Sequence, residues 1–248
     1  MIAVIADDFT GAAEIAGLGL RYGLKVEIES FVYTDSDADL LIIATDTRSL
    51  NEEEAYNEVL SITKQLKKVN CNWIYKKTDS VFRGHIYKEL KAMLEGHDYT
   101  KSLLVPANPS LGRKIKDSIY YIDNQYLHET NFSEDPDFVL ITSDVVKLIR
   151  PEEGKPVSVV KPDQAISNRG ITIGEADTEN DLKKWASKIN NEILPAGGAG
   201  FFAALLEAQG YVENQLTAVN DYDFGENLLF VCGSAFSKGK AVFVNGSY

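Results

Sequence analysis

The chain has 248 residues, enough for one or two domains, and its 44% hydrophobic and 25% charged content is that of an ordinary globular protein rather than a disordered or fibrous one. Its 25 Lys and Arg stand against 37 Asp and Glu, a net charge of −12. That balance argues against nucleic-acid binding by a clustered basic face, while a local patch for a small anion survives it.

The chain opens on Met1-Ile-Ala-Val-Ile-Ala6, apolar throughout, as in a strand covered on both faces. This start has no basic n-region and meets Asp7 too early for a signal peptide. No apolar run approaches the ~18 residues of a membrane span, so a cytoplasmic protein with no membrane partner is expected. Asp7-Asp-Phe-Thr-Gly11 leads into a helix expected over 12–22 and closed by Gly23. Strands are expected at 25–29 and 40–45, then a capping-box pattern, Ser49-Leu-Asn-Glu52, before a helix over 53–68. Trp73-Ile-Tyr-Lys-Lys77 reads as the next strand, followed by a loop to Gly84 and a helix through about Glu95.

A strand at 102–105 closes on Pro106-Ala-Asn-Pro109. Residues 110–140 read as a hairpin or irregular excursion. Strands at 157–160 and 171–175 and a helix over 178–189 restore the alternation. Leu194-Pro-Ala-Gly-Gly-Ala-Gly200 reads as a glycine-rich turn that opens a helix over 201–208. After an acidic stretch, Leu228-Leu-Phe-Val231 begins a new strand. The pattern predicts an α/β, Rossmann-like fold: a mostly parallel sheet with helices on both faces, plus the excursion around 110–140. It also predicts a boundary between a lobe at 1–226 and the truncated start of a second lobe at 227–248. Cys71 and Cys232 offer neither a disulfide framework nor a metal spacing and read as buried thiols.

In open α/β sheets ligands sit beyond the carboxyl ends of the strands, so the residues just after each strand are the candidates. They are Asp7 and Asp8; Asp46 and Arg48; Lys76, Lys77, Asp79, Ser80 and Arg83; Asn108, Ser110 and Arg113; and Gly197, Gly198 and Gly200. Asp7-Asp8 reads as a helix cap or as a hydroxyl or metal contact. Phe9 at the +2 position breaks the Asp-x-Asp-x-Thr pattern and disfavours an aspartyl-phosphate phosphatase. A planar Arg fork and a compact Lys charge beside Asp and Ser suit a polyhydroxylated acid, gripped at its carboxylate and its hydroxyls. The late glycines offer N–H groups at a helix start or simply allow tight packing; the P-loop pattern is absent. His85, His97 and His128 lack metal spacing, so no metal site is expected; His85 stands near Arg83.

Asp7-Asp-Phe-Thr-Gly-Ala12, Tyr75-Lys-Lys-Thr-Asp-Ser-Val-Phe-Arg-Gly84, Pro106-Ala-Asn-Pro-Ser-Leu-Gly-Arg113 and Gly197-Gly-Ala-Gly200 resemble, in that order, motifs of the four-carbon acid sugar kinases. The likeness is to that family's N-terminal, sugar-acid-binding domain. The family includes threonate, erythronate and 3-oxo-tetronate kinases, and the likeness covers about residues 1–226. It departs at Ser80-Val-Phe-Arg-Gly-His85, where the family usually has Ser-Thr-Leu-Arg-Gly-Asn. The resemblance implies a two-lobed ATP-dependent kinase whose N-terminal lobe holds the sugar acid.

On that reading Asp7, Asp8, Lys76 or Lys77, Asp79, Ser80 and Arg83 form the acid site, with Asp46, Arg48 and Arg113 also touching substrate. Gly197, Gly198 and Gly200 lie toward the nucleotide. Lys76 or Lys77 and Arg83 hold the carboxylate, and Asp8 or Asp79 accepts the hydroxyl proton. ATP and Mg²⁺ belong to the complete enzyme, and this chain is expected to bind neither tightly. Leu229-Phe-Val-Cys-Gly-Ser-Ala235 is similar to the opening of the nucleotide lobe. The expected partners are a small sugar acid, the missing C-terminal lobe and a second copy of the chain paired through an exposed strand. The alternative is a non-catalytic sugar-acid-binding module or an inactive truncated remnant.

Overall fold

A computed structural model describes residues 1–32, 36–69, 71–135, 138–155 and 157–214. The chain divides into units Met1–Asn214 and Gln215–Tyr248, and the expected strand at 228–231 and boundary at 226 lie outside the described residues. Strand β1 (Ile2–Ala6) is buried at every position, as its unbroken apolar run requires. Helix α1 (Phe9–Arg21) starts three residues earlier than expected. Asp8 caps it, accepting from the Gly11 N–H at 2.8 Å, and Arg21 suits the dipole of its last turn. Strands β2 (Val26–Glu29) and β3 (Leu40–Ala44) follow.

Helix α2 (Glu52–Leu66) does have a capping box, formed by Asn51 and Glu54 two residues past the expected pair. The reason is local. Thr47–Ser49 forms a 3-10 turn, and the Ser49 hydroxyl is spent on Asp46, leaving Asn51 to receive the N–H groups of Glu53 and Glu54. Strand β4 (Trp73–Lys77), helix α3 (Ile86–Gly96) and strand β5 (Lys101–Val105) come next.

The excursion is a second sheet: antiparallel β6 (Arg113–Lys116), β7 (Ile119–Ile122) and β8 (Gln125–Tyr126). Its two tight turns, Asp117-Ser118 and Asp123-Asn124, have positive φ at both residues, the mirror-image turn that matches strand twist. A short helix α4 (Val145–Ile149), strands β9 (Ser158–Val160) and β10 (Gly170–Gly174), and helix α5 (Glu179–Ala186) complete the middle of the chain.

The expected glycine-rich turn at 194–200 is instead mostly a central strand, β11 (Ile193–Gly197), feeding helix α6 (Ala199–Ala208). Proline and glycine hide the strand, since both are poor strand formers. Pairing of β11 with β4 begins only at Ala196, one residue past Pro195, a place where a missing N–H is tolerated. The main sheet is wholly parallel, in the order β2-β3-β1-β4-β11-β5-β10-β9. Helices α2 and α3 pack together on one face, and α1, α6 and α5 on the other. The expected α/β class and its excursion are both found.

Gly197 has φ 145°, and a Cβ there would overlap the Val105 carbonyl. Gly197→Ala is therefore expected to lower stability by roughly 3 kcal/mol or more, read as a fall in urea midpoint at unchanged slope.

Candidate functional site

Parallel strands deliver their carboxyl ends to one rim, and the order β3-β1-β4 makes Asp7, Arg48 and Asp79 neighbours there. The Arg48 guanidinium sits among three carboxylates. Its Nε and Nη2 donate to Asp7 Oδ2 at 2.9 and 2.8 Å, Nη1 lies 2.9 Å from Asp8 Oδ2, and Nη2 lies 3.6 Å from Asp79 Oδ1. Asp7 is 1% exposed, and its Oδ1 has no hydrogen-bond partner among the described residues. Burial works against the charge of Arg48, but the surrounding Asp7, Asp79 and Asp8 raise its pKa above the ordinary guanidinium value.

Asp79 organises the loop after β4. Its Oδ2 accepts from the Val81 and Arg83 backbone N–H groups and from Arg83 Nε, each at 3.1 Å, while Arg83 Nη2 donates to Oδ1 at 2.9 Å. Burial alone would raise the Asp79 pKa. The Arg83 hydrogen bond and the charges of Arg48 and Arg83 outweigh it and hold the carboxyl below the usual carboxylate range. Arg83 also reaches Asp135 at 3.2 Å. Ser80 accepts from Arg113 Nη1, and the Arg113 guanidinium lies 5.7 Å from the Phe132 ring centre.

Strand alternation sends the two lysines to opposite faces of the sheet. Lys77 faces the cleft, 3.1 Å from Glu14 and donating to the Thr78 carbonyl at 3.1 Å. Lys76 does not face it: fully buried, it pairs with Glu89 of α3 at 3.2 Å. Together Asp8, Glu14, Arg48, Lys77, Asp79, Ser80, Arg83 and Arg113 surround a cleft of about 260 Å³, with Val81, Leu111 and Phe132 as its apolar wall. Four cations line the cleft beside three carboxylates, and Asp7 and Asp135 pair with two of those cations from behind, so the site is a dense mix of both charges. Hollows of about 390 and 440 Å³ lie elsewhere on the chain, but none of the candidate residues lines them.

Three expectations are corrected. Lys76 is outside the cleft lining. Asp46 is turned away as well, in a left-handed conformation at φ 53° with its carboxylate accepting from Ser49. Gly197, Gly198 and Gly200 do not line it either: Gly198 N donates to the Val105 carbonyl, and Gly200 packs on Asn108. His85 bonds the Leu50 carbonyl at 2.6 Å. Glu14 and Phe132 were missed, whereas Thr10 and Gly11, at the helix start after the first strand, do line it. Glu14 had a signal, lying one helical turn past Thr10 on the same face.

Of the described residues, those that line the cleft include none of Gly197, Gly198 and Gly200. Nor do the described residues gather carboxylates for Mg²⁺. Among them no group of three or more His, Cys, Asp or Glu is placed to hold a metal, and the gathered carboxylates converge on Arg48. Among them also, no helix is long and apolar enough to cross a membrane.

Residues 2–205 match the model of a family described as the sugar-binding N-terminal domain. A 3-oxo-tetronate kinase of Brucella melitensis is 26% identical, the match covering 99% of this chain and 59% of that protein. A D-threonate kinase of Salmonella typhimurium is also 26% identical, over 72% of this chain and 46% of its own length. The chain thus spans about half the length of the curated relatives it matches. A Bordetella bronchiseptica protein, crystallised with bound citrate as a domain-swapped dimer, shares the fold at a TM-score of 0.73 and 21% identity, over 84% of this chain and 56% of that one.

The depressed Asp79 pKa ties stability to acid. Its contribution is complete above the unfolded carboxyl value of ~3.9 and is lost as pH falls through the lower folded value. Asp79→Asn is expected to cost roughly 3 kcal/mol at neutral pH and to flatten that acid limb, measured as urea midpoints from neutral to strongly acidic pH.

Proposed function

The chain belongs to the sugar-binding N-terminal domain family, and on that premise we propose that Met1–Asn214 is the acceptor-holding lobe of an ATP-dependent kinase for a four-carbon sugar acid. The observation that carries the reading is the cleft itself: small, polar and lined by cations interleaved with carboxylates and a hydroxyl, at the carboxyl ends of β1, β3 and β4. A volume of about 260 Å³ suits a small polyol acid better than a drug-sized ligand.

The roles divide by what each side chain is already doing. Arg48 and Arg83 are occupied by carboxylates of the protein, so Arg83 orders the loop instead of holding the ligand. Lys77 and Arg113 are left to grip the ligand carboxylate. Asp8, Glu14 and Ser80 then face its hydroxyls, and Val81, Leu111 and Phe132 its carbon-bound hydrogens. Of the two candidate bases, Asp8 is preferred. Asp79 takes four N–H donors and its proton affinity is depressed, whereas Asp8 takes one on each oxygen, from Gly11 and Arg48, and is less deeply buried at the cleft. Asp8 thus accepts the proton of the acceptor hydroxyl and fixes its direction of attack.

ATP and its Mg²⁺ belong to the part of the relatives' length that this chain does not span. The names of the relatives support threonate or 3-oxo-tetronate chemistry. The swapped dimer of the Bordetella protein supports pairing of two copies. A soluble, cytoplasmic protein accords with the metabolic names. The rival reading is a non-catalytic sugar-acid sensor, favoured by a cleft lined without any nucleotide-binding element.

Calorimetry of the chain with D-threonate, erythronate and 3-oxo-tetronate tests the assignment. At least one acid is expected to bind, and Lys77→Met or Arg113→Met is expected to weaken it by roughly tenfold or more. Arg83→Met is expected to lower stability first. Binding of none of the three, or undiminished affinity in both folded Lys77 and Arg113 variants, overturns it. Turnover of ATP by the chain with the acid present decides against the sensor.

A further inference from the structure

Lys76 and Glu89 form an ion pair with 0% and 1% side-chain exposure, on the face of the sheet away from Lys77. Such a pair is costly to desolvate, and well-packed apolar residues of similar volume often serve stability as well or better. The pair does not stand alone. Lys76 Nζ also donates to the Lys77 carbonyl at 3.0 Å. Glu89 Oε1 accepts from the Thr47 hydroxyl, and the Thr45 hydroxyl, with one proton, faces both the Thr47 oxygen at 2.8 Å and the Ala6 carbonyl at 2.9 Å.

The tier therefore joins the last residues of β1 and β4 and the turn that follows β3 to α3. Each attachment point immediately precedes or carries a group that lines the cleft or pairs with one that does: Ala6 before Asp7, the partner of Arg48; Thr47 before Arg48; and the Lys77 backbone beneath its own ammonium. The Arg48 backbone N–H donates to the Asp7 carbonyl at 3.2 Å, closing the tier against the acid cluster.

We propose that Lys76, Glu89 and Thr47 are positioning residues that hold Arg48 and Lys77 in register with the cleft. The ligand-affinity arm rests on the sugar-acid reading above; the arm reading Arg48 does not. An ion pair kept where an apolar pair would pack is explained by the direction its hydrogen bonds impose on three strand ends. An apolar pair imposes none.

The test is the double variant Lys76→Met with Glu89→Met, beside Thr47→Val and Thr47→Ser. The double variant is expected to unfold at a urea midpoint close to the parent's, since the removed charges were paired with each other. The Arg48 Nε–H, donated to Asp7, is expected to exchange slowly in the parent, its resonance assigned by its loss in Arg48→Lys, and to lose that protection in the double variant and in Thr47→Val. Thr47→Ser is expected to restore it. Affinity for the best-bound of D-threonate, erythronate and 3-oxo-tetronate is expected to fall roughly tenfold or more in the same two variants, as misplaced groups lose contact.

An Arg48 resonance as protected as the parent's in folded variants overturns the proposal. Affinity within about twofold of the parent's despite a released Arg48 overturns the link between tier and cleft. If the double variant does not fold, the Thr47 pair decides alone. If the parent binds none of the acids, the functional reading falls and the Arg48 resonance still decides the proposal.

Discussion

One guanidinium holds the rim together. Asp7, Asp8 and Asp79 end or follow strands β1 and β4, and parallel pairing forces their carboxylates into one small volume from which water is largely excluded. Three like charges at such separations repel strongly in a medium of low dielectric. Arg48 arrives from the neighbouring β3 with a planar fork that reaches all three, something the single point of a lysine ammonium does less well. The sheet order that puts β3 beside β1 is therefore what makes the acidic rim stable, and the rest of the site is built on it.

The loop after β4 follows from the same constraint. With Asp79 fixed by Arg48, its second oxygen gathers the Val81 and Arg83 N–H groups and the Arg83 side chain. That gathering drives Phe82 into the left-handed region at φ 65°, a conformation costing of order 1–3 kcal/mol for a bulky residue. The Phe82 ring is buried edge-on against Tyr120 at 5.7 Å, and this contact with the small sheet helps offset the strain. The strained loop thus ties the parallel platform to the antiparallel excursion that supplies Arg113.

Much of this was legible beforehand, and the failures have identifiable causes. The apolar runs of β1, β3 and β5 declared the parallel sheet, because strands buried on both faces read that way, and the charged cluster at 76–83 marked its candidate rim. Strand β11 stayed hidden since Pro195 and two adjacent glycines are turn formers by local preference, and only the close approach to Val105 requires them. Asp46 and Lys76 were grouped with the cleft by adjacency, yet adjacency in a strand or tight turn means opposite directions. Glu14 and Phe132 come from a helix turn and from the excursion, and no spacing rule links the excursion to the strand ends.

A count of cations cannot divide a site into its scaffold and its hands. Arg48 and Arg83 look from the sequence like the best anion ligands, since arginine forks match carboxylates, and in the fold they do bind carboxylates, those of the protein itself. What remains for a ligand is the pair with weaker commitments. Lys77 is held by a half-exposed Glu14, and Arg113 by a hydroxyl and an aromatic face. These two come from different layers, Lys77 from the parallel sheet and Arg113 from the first residue of the antiparallel one. The width between them is set by how the small sheet sits on the large one, through the bridges of Asn108 to Arg113 and Ile115 to Ala176. The size of this cleft is accordingly a property of the packing between two sheets rather than of any motif.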